Sequence, residues 1–393
     1  MSSRRSRVAG ATIVVALATS LFLGASSGLP AGAADPADEA AATSAAAWIV
    51  DQQEPDGGFE LADFPGFETS DAVLAIASAA QTGTTWSEAE ALAAIEALQY
   101  GGSGGPTPID ALDDWVTTAH AGAGVNAGEA AKLLVLVVTP LGLDPAAFGP
   151  SGTDLAAKVY PSGCGSAPAL GSIFFYEKMY VGLGGEVLCG EPDATVVQLV
   201  RDAQRDDGGW NFNGSTAPAD PSDPFDPNLP DVDTTAVAME VLVAAGAAWD
   251  DPAVQGGLAY LAAQQSPTGA FRSFGADDPN ATAVAMLAIT AAGFDPNVAC
   301  WRTTAVPETA GTAYAAPNAW LRSQQQPDGH IAGPNDAFFF STFATSQTVE
   351  GLLRTWLPIA RAGGAPTCLT VSPGDTEQDP VADPVTLVPR FTG

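Results

Sequence analysis

Polar and apolar residues occur along this chain in blocks that repeat. In each block a helical run ends in glutamine, a polar stop and a glycine follow, and an alanine-rich apolar run comes next. Four clear copies read WIVDQQEPDGGFE from Trp48, VRDAQRDDGGWNF from Val200, YLAAQQSPTGAFRSF from Tyr260 and WLRSQQQPDGHIA from Trp320. Three of their glutamines, Gln204, Gln264 and Gln325, lie 60 and 61 residues apart. Such a period predicts a repeat architecture in which each unit buries its face against its neighbours.

Each copy predicts a helical hairpin. The first helix carries polar residues and ends at a glycine, which can adopt the left-handed conformation that terminates helices. The second helix is nearly free of charge, so we expect it to be buried. Candidate N-caps for these second helices are Ser70, Asp233 and Asn280. The aromatic residues after the glycines (Phe59, Trp210 and Phe271) are expected to pack over the joints between hairpins.

Two weaker units complete the series. One pairs WSEAEALAAIEALQY with NAGEAAKLLVLVV, with Asn126 as the cap, and the other pairs TDLAAKVY with GSIFFYEKMYVGL. Six hairpins then cover roughly residues 40 to 360. An open solenoid would leave one apolar face in water, so the pattern favours an all-α, closed α6/α6 toroid.

The QxxDGGW/F phrase followed by DVDTTA resembles the repeats of squalene-hopene cyclases and protein prenyltransferases, which are α6/α6 toroids. The resemblance is clearest over residues 48–80, 200–246, 260–293 and 320–353. It also extends to secreted actinobacterial proteins with a single toroid and to cobalamin carriers that use this fold without catalysis. The resemblance therefore implies the toroid, and it implies no single activity.

The ends of the chain differ from its middle. Residues 1–33 combine Arg4, Arg5 and Arg7 with an apolar run and a small-residue site ending at Ala33, which predicts a cleaved secretory signal peptide. The apolar run is too short for a membrane span, and we expect a secreted protein with no transmembrane segment. We predict a toroid over 34–365, followed by a disordered tail over 366–393 that is rich in proline and aspartate.

Charge and cysteine content narrow the choice of partners. The formal net charge of −31 disfavours nucleic acids and anionic membranes. Four cysteines in an exported chain are expected to pair, with three connectivities open. We favour Cys164–Cys189 and Cys300–Cys368. With no CxxC motif and only His120 and His330 as histidines, we expect neither a metal nor a cofactor.

The strongest chemical motif is DVDTTA, residues 231–236. It resembles the DxDD motif of class II terpene cyclases, and this resemblance implies Asp233 as a proton donor with Asp231 beside it. Thr234 replaces the last aspartate of that motif. The simpler interpretation is that Asp233, or a neighbouring threonine, caps the inner helix. A third hypothesis, calcium bound by the acidic loop over 220–233, lacks the spacing of an EF-hand.

Inner helices that run parallel bring their N-termini to one rim of the ring. Candidate ligand-binding residues at this rim are Trp210, Phe212, Phe340, Asp231 and Asp233. Our leading hypothesis is a secreted, non-catalytic binding protein for an unidentified apolar or neutral small molecule or an extracellular partner. The alternative is a class II terpene cyclase-like enzyme that uses Asp233.

Overall fold

The structure is a computed structural model that describes residues 34–60, 66–83, 85–220, 222–223, 226–305, 313–334, 342–357 and 360–361. Its fold is all-α and consists of six helical hairpins, as predicted. The outer helices are α1 (Pro36–Asp51), α3 (Glu88–Glu96), α7 (Leu155–Val159), α9 (Ala194–Asp202), α11 (Pro252–Gln264) and α14 (Pro317–Gln324). The inner helices are α2 (Thr69–Ala79), α5 (Ala127–Leu133), α8 (Phe175–Cys189), α10 (Val232–Ala244), α12 (Pro279–Ala291) and α15 (Thr342–Leu353).

Smaller elements are inserted between the hairpins. They include α4 (Pro108–Gly122), α6 (Thr139–Leu141) and α13 (Cys300–Ala305), and a π-helical turn over Leu134–Val138 joins α5 to α6. Two short antiparallel ribbons pair β1 (Phe271–Ser273) with β2 (Ala276–Asp278), and β3 (Thr355–Trp356) with β4 (Ala360–Arg361). The sequence predicted none of α4, α13 or the ribbons.

The inner helices form a closed ring. Following the contacts around the ring, α2 packs on α15, α15 on α12, α12 on α10, α10 on α8 and α8 on α5, and the π-helical turn that continues α5 packs on α2. Each helix therefore has a neighbour on both sides. No inner helix is left with an open apolar flank, which is the physical reason for expecting closure.

Small residues allow the inner helices to approach closely. A Cβ atom on Gly351 of α15 would lie 3.0 Å from the Cα of Ala283 on α12. A Cβ atom on Gly184 of α8 would lie 3.1 Å from the Cβ of Ala131 on α5. The alanine- and glycine-rich composition of the second helices is thus a requirement of ring packing, since larger side chains would push neighbours apart.

The repeated glutamine joins one hairpin to the next. The Gln204 side-chain amide donates to Gly208 O at 2.9 Å, which closes the turn, and to Ala253 O on the next outer helix at 2.8 Å. Gln325 makes the same pair of bonds to Gly329 O and to Ala41 O, both at 2.9 Å. In the third copy the bonding residue is Gln265, not Gln264, since Gln265 donates to Gly269 O at 3.2 Å.

A threonine on the inner helix fixes each joint. Thr235 Oγ1 accepts the backbone N–H of Trp210 at 3.0 Å, and Thr282 Oγ1 accepts that of Phe271 at 2.9 Å. The corresponding acceptors in the first and last hairpins are Thr69, for the N–H of Phe59, and Thr345, for that of Ile331. These threonines align the repeats residue by residue. The residue two places before each is Phe67, Asp233, Asn280 or Phe343.

The first and last hairpins meet at a polar seam. Asp38 of α1 is fully buried and accepts a hydrogen bond from Asn318 Nδ2 at 2.9 Å. Arg322 forms an ion pair with the same carboxylate. A buried charge needs such partners, so this contact specifies which ends of the chain close the ring.

The structure describes one of the two predicted disulfides completely and part of the other. Cys164 and Cys189 form a disulfide, as predicted. Cys300 is also disulfide-bonded, and its expected partner Cys368 lies outside the described residues. Among the described helices none is long and apolar enough to cross a membrane. The predicted signal peptide over 1–33 and tail over 366–393 lie outside the described residues.

Candidate functional site

Asp231 is the N-cap of α10. Its Oδ1 accepts the backbone N–H of Thr234 at 2.6 Å and its Oδ2 accepts the Thr234 hydroxyl at 2.8 Å. Its own N–H donates to Trp210 O at 3.0 Å, which ties the helix start to the preceding turn. Burial raises the pKa of Asp231 to about 6, opposed by the hydrogen bonds from Thr234.

This geometry corrects three predicted caps. The N-cap residues of α2, α10 and α12 are Glu68, Asp231 and Asp278, so Ser70, Asp233 and Asn280 are wrong as cap assignments. Each lies inside its helix, where the backbone N–H groups of its own turn are no longer its partners. The predicted cap Asn126 is confirmed, since it accepts the N–H of Glu129 at 2.9 Å.

Asp233 is left without a capping role. Its Oδ1 is buried and has no hydrogen-bond partner among the described residues. Burial raises the pKa of Asp233 well above its ordinary value, and the charges of Asp231 and Asp278 add to the rise. Asp278 belongs to the neighbouring inner helix α12. On the opposite side, the charge of Asp233 contributes to raising the pKa of Tyr176 on α8. Asp233 therefore lies on the inward side of α10, where burial and neighbouring charges favour the protonated form of its carboxyl.

We use the term ring mouth for residues at or near the N-terminal ends of the inner helices, namely Phe67, Asp71, Lys132, Tyr176, Asp233, Asn280 and Phe343, together with Phe212, which stacks on Tyr176. Two of them form an ion pair across the joint between α2 and α5, with Lys132 Nζ 2.7 Å from Asp71 Oδ2. Lys132 also donates to Phe67 O at 3.1 Å and lies over the Phe67 ring. The one lysine of the mouth is therefore already neutralised.

Aromatic rings surround this polar centre. Phe67 and Phe343 have ring centroids 4.7 Å apart, where the first hairpin meets the last. On the opposite side Phe212 stacks on Tyr176 at 5.7 Å and contacts Phe174 at the same distance. Phe212 is 46% exposed, so part of its ring is available to a ligand.

The predicted ligand-binding residues are only partly brought together. Asp231, Asp233 and Phe212 lie side by side, since the backbone N–H of Phe212 also donates to Asp231. Trp210 is fully buried, and its indole N–H donates to Val200 O at 2.6 Å, so its side chain packs in the hairpin joint as the repeat pattern predicted. Phe340 lies outside the described residues.

Two further acids lie deeper in the ring. Glu240 of α10 is 2% exposed and Glu350 of α15 is 3% exposed. Burial raises the pKa of Glu240 to about 8. Burial also raises the pKa of Glu350 well above its ordinary value, and the charges of Asp71 and Glu240 add to this. The Oε1 atom of Glu350 has no hydrogen-bond partner in the described part of the chain.

These acids do not form a metal centre. No group of three or more His, Cys, Asp or Glu side chains within the described ranges has the arrangement that holds a metal ion. The site is instead a set of hydrogen-bonding groups together with buried carboxyls, and burial raises the pKa of Asp231, Asp233, Glu240 and Glu350. Asp71, Lys132, Tyr176, Glu240 and Glu350 were not singled out from the sequence, although each carries its polar group in an inner helix.

Comparisons with known proteins bear on the fold. No family model matches the chain, and no curated protein matches its sequence. The type II terpene cyclase MstE from Scytonema, in complex with the product merosterolic acid A, is similar with a TM-score of 0.48 and 17% identity, over 81% of this chain and 97% of that one. A protein from Actinoplanes has a TM-score of 0.44 and 18% identity, over 81% and 99% of the two chains. Likeness at this level concerns the helical fold and carries no argument about activity.

Proposed function

We propose that the protein is an exported binding protein that holds a small neutral or weakly cationic molecule at the ring mouth. The observation that carries the proposal is the pairing of exposed aromatic surface at Phe212 with the inward Asp233, whose Oδ1 has no hydrogen-bond partner among the described residues. Aromatic faces supply contact area, and a few convergent polar groups fix orientation, which is the usual composition of a small-molecule site.

Charge favours this class of ligand. Asp71, Asp231 and Asp233 carry the acid groups of the region, and Lys132 is bound to Asp71. An anion would find no free cation among the described residues here and would meet the negative charge of Asp231, whose pKa of about 6 leaves it mostly ionised at neutral pH, so we expect the ring mouth to exclude anions. The positive N-terminal ends of the inner helices favour an anion by only about 0.3–1 kcal/mol each, which is too little to reverse this preference.

A thermal-shift screen tests this function with three probe classes: the isoprenoid alcohol farnesol, neutral sugars, and benzyltrimethylammonium. We expect at least one to raise Tm, since a ligand at 100 times its Kd stabilises by about 2.7 kcal/mol. Phe212→Ala should abolish the shift. Trp249→Ala is the matched control, because Trp249 is a 37% exposed aromatic in the turn after α10, at the opposite end of that helix. Absence of a shift with all three probe classes, or equal shifts in the two variants, would refute the proposal.

A second candidate is proton-initiated cyclisation. It is supported by the absence of a capping role for Asp233, together with burial and neighbouring charges that raise the pKa of its carboxyl and favour the protonated form. The Asp233 O–H would protonate a terminal alkene or epoxide, the carbocation would be stabilised by the nearby aromatic faces, and loss of a proton would end the reaction. Incubation with squalene and with polyprenyl diphosphates, followed by mass spectrometry, tests it. Turnover should be lost in Asp233→Asn and kept in Ser70→Ala. Absence of any product from the wild type rejects this candidate.

A further inference from the structure

A groove lies on the flank of the rim, outside the ring mouth. It is formed by the first turn of α8, the last turn of α9 and the loop over 213–216, and it encloses about 430 Å³. This volume is within the range of small-molecule sites, roughly 300–1,000 Å³. Its lining includes neither Asp233 nor Tyr176, so it is separate from the site proposed above.

Two of the side chains that line the groove are large, apolar and exposed. Phe174 is 65% exposed and Leu199 is 36% exposed, and both line the groove. Phe212, 46% exposed, contacts Phe174 at 5.7 Å. Three of the eight large apolar side chains that are exposed in the described ranges thus lie at one place. Clustered apolar surface of this kind marks binding sites more often than scattered single residues do.

The wall of the groove is also held in shape. Gly214 has a φ of +66°, and a Cβ atom there would lie 2.5 Å from the ring of Phe175, so the loop is pressed against α8. Asn211 Nδ2 donates to Ser215 O at 2.8 Å, and Ser215 N donates back to Asn211 Oδ1 at 2.9 Å. A preformed site saves a ligand the entropic cost of ordering the loop.

One side chain gives the groove a positive charge. The chain has three lysines. Lys132 is paired with Asp71, and Lys158 donates to Val125 O at 3.0 Å. Lys178 lines the groove, and its ammonium has no ion-pair or hydrogen-bond partner in the part of the chain that the structure describes. Asp202, on the α9 wall, accepts a hydrogen bond from Gln198 Nε2 at 2.7 Å. An unneutralised cation beside apolar wall is distinctive in a protein with a net charge of −31.

From this juxtaposition we propose that the groove binds a monomeric amphiphilic carboxylate of the fatty-acid type. The carboxylate lies against Lys178, and the alkyl chain packs along Phe174 and Leu199. Charge-assisted contact fixes the head, and removal of apolar surface from water holds the tail. This site does not depend on the function proposed for the ring mouth.

The test uses isothermal titration of the full chain with decanoate, kept below its micelle concentration, and with the uncharged 1-decanol. We expect decanoate to bind, and Lys178→Met to weaken it by about tenfold or more, as loss of a charge-assisted bond requires. Lys178→Arg should restore most of the affinity, and 1-decanol should be unaffected by either change. Leu199→Asp should abolish decanoate binding. Val298→Asp, which alters a 43% exposed residue beyond α12, is the matched control and should bind as wild type.

Three results of the titrations would overturn the proposal. They are no decanoate binding by wild type up to 1 mM, equal affinity in Lys178→Met, and equal loss in Leu199→Asp and Val298→Asp. Binding to phosphatidylglycerol vesicles in place of monomeric decanoate would also overturn it, since it would identify a membrane surface. Asp233→Asn should leave decanoate affinity unchanged. That readout separates failure of this groove from failure of the site at the ring mouth.

Discussion

Replacing Glu240 with glutamine should remove a large part of the pH dependence of folding stability. Glu240 lies two turns below Asp233 on α10, is 2% exposed, and accepts the backbone N–H of Leu357 at 3.4 Å. Burial raises the pKa of its carboxyl from the ordinary 4.5 to about 8. The folded protein therefore holds a proton on Glu240 over a pH range in which the unfolded chain has lost it.

The sign and size of the change in folding stability with pH follow from proton linkage. Because the native state binds more protons between pH 4.5 and about 8, stability is greatest below pH 4.5 and falls as pH rises through this window. Each unit of pKa difference corresponds to 1.36 kcal/mol, so the Glu240 contribution changes by about 3 kcal/mol between pH 5 and pH 8. Glutamine does not titrate. The variant should lack this loss, apart from a smaller effect through Glu350, whose pKa depends on the charge of Glu240.

Urea unfolding followed by circular dichroism, at pH 5 and at pH 8 with disulfides intact, measures the difference. We expect wild type to lose about 3 kcal/mol more between the two pH values than Glu240→Gln does, with unchanged m-values. Glu39→Gln, an exposed glutamate on α1, is the control and should follow wild type. A difference between wild type and Glu240→Gln below about 1 kcal/mol would refute the reasoning, since it would mean that Glu240 is solvated in the folded protein.

Three further changes have calculable outcomes. Asp231→Ala removes the cap of α10 and should cost about 0.5–2 kcal/mol in urea unfolding, whereas Asp231→Asn should cost much less. Trp210→Ala opens a cavity in the core and should cost about 3–5 kcal/mol, while Phe212→Ala, at an exposed site, should stay within about 1 kcal/mol of wild type. Replacing Cys164 and Cys189 with serine frees a loop whose ends are 25 residues apart and should cost about 3 kcal/mol. Equal costs for Trp210→Ala and Phe212→Ala would contradict the burial on which these values rest.

The repeat pattern predicted the ring because the pattern records packing. Alanine, glycine and valine dominate the second helices since neighbours such as Gly351 and Ala283 nearly touch. The helix that was missed, α4, does carry a start signal. Thr107 and Asp110 form a capping box, and Pro108 occupies the first turn. It was overlooked because it lies outside the hairpin period, so no copy elsewhere in the chain supported it.

The site was predicted less well because side-chain direction depends on register. The N-cap of α10 is Asp231, two residues before the predicted cap Asp233. Asp233 therefore lies within the first turn of the helix, and its side chain faces inward instead of capping the helix N-terminus. Sequence spacing could not show this, since both aspartates are good caps. The deeper acids Glu240 and Glu350 are surrounded by apolar residues in the sequence. Only ring closure brings α10 and α15 close enough for the charges of Glu240 and Glu350 to interact.

The threonines that fix the joints between hairpins align the repeats, and this alignment shows which residues occupy the position of Asp233 in the other hairpins. At the same position the other hairpins with this threonine have Phe67, Asn280 and Phe343, none of which carries a charge. The fold therefore accepts an aromatic or an amide there, and Asp231 already caps the helix. An acid with a buried, unpartnered oxygen costs stability, on the order of 1–3 kcal/mol for the lost hydrogen bond alone. Packing and capping are satisfied without the carboxyl of Asp233, and under the proposed function this group instead contacts a ligand in the ring mouth. An amide can be buried without the protonation that a carboxyl with a raised pKa requires, so Asp233→Asn should raise the free energy of unfolding at pH 7 while lowering ligand affinity at the mouth. A variant that loses both stability and affinity would assign Asp233 to the fold instead.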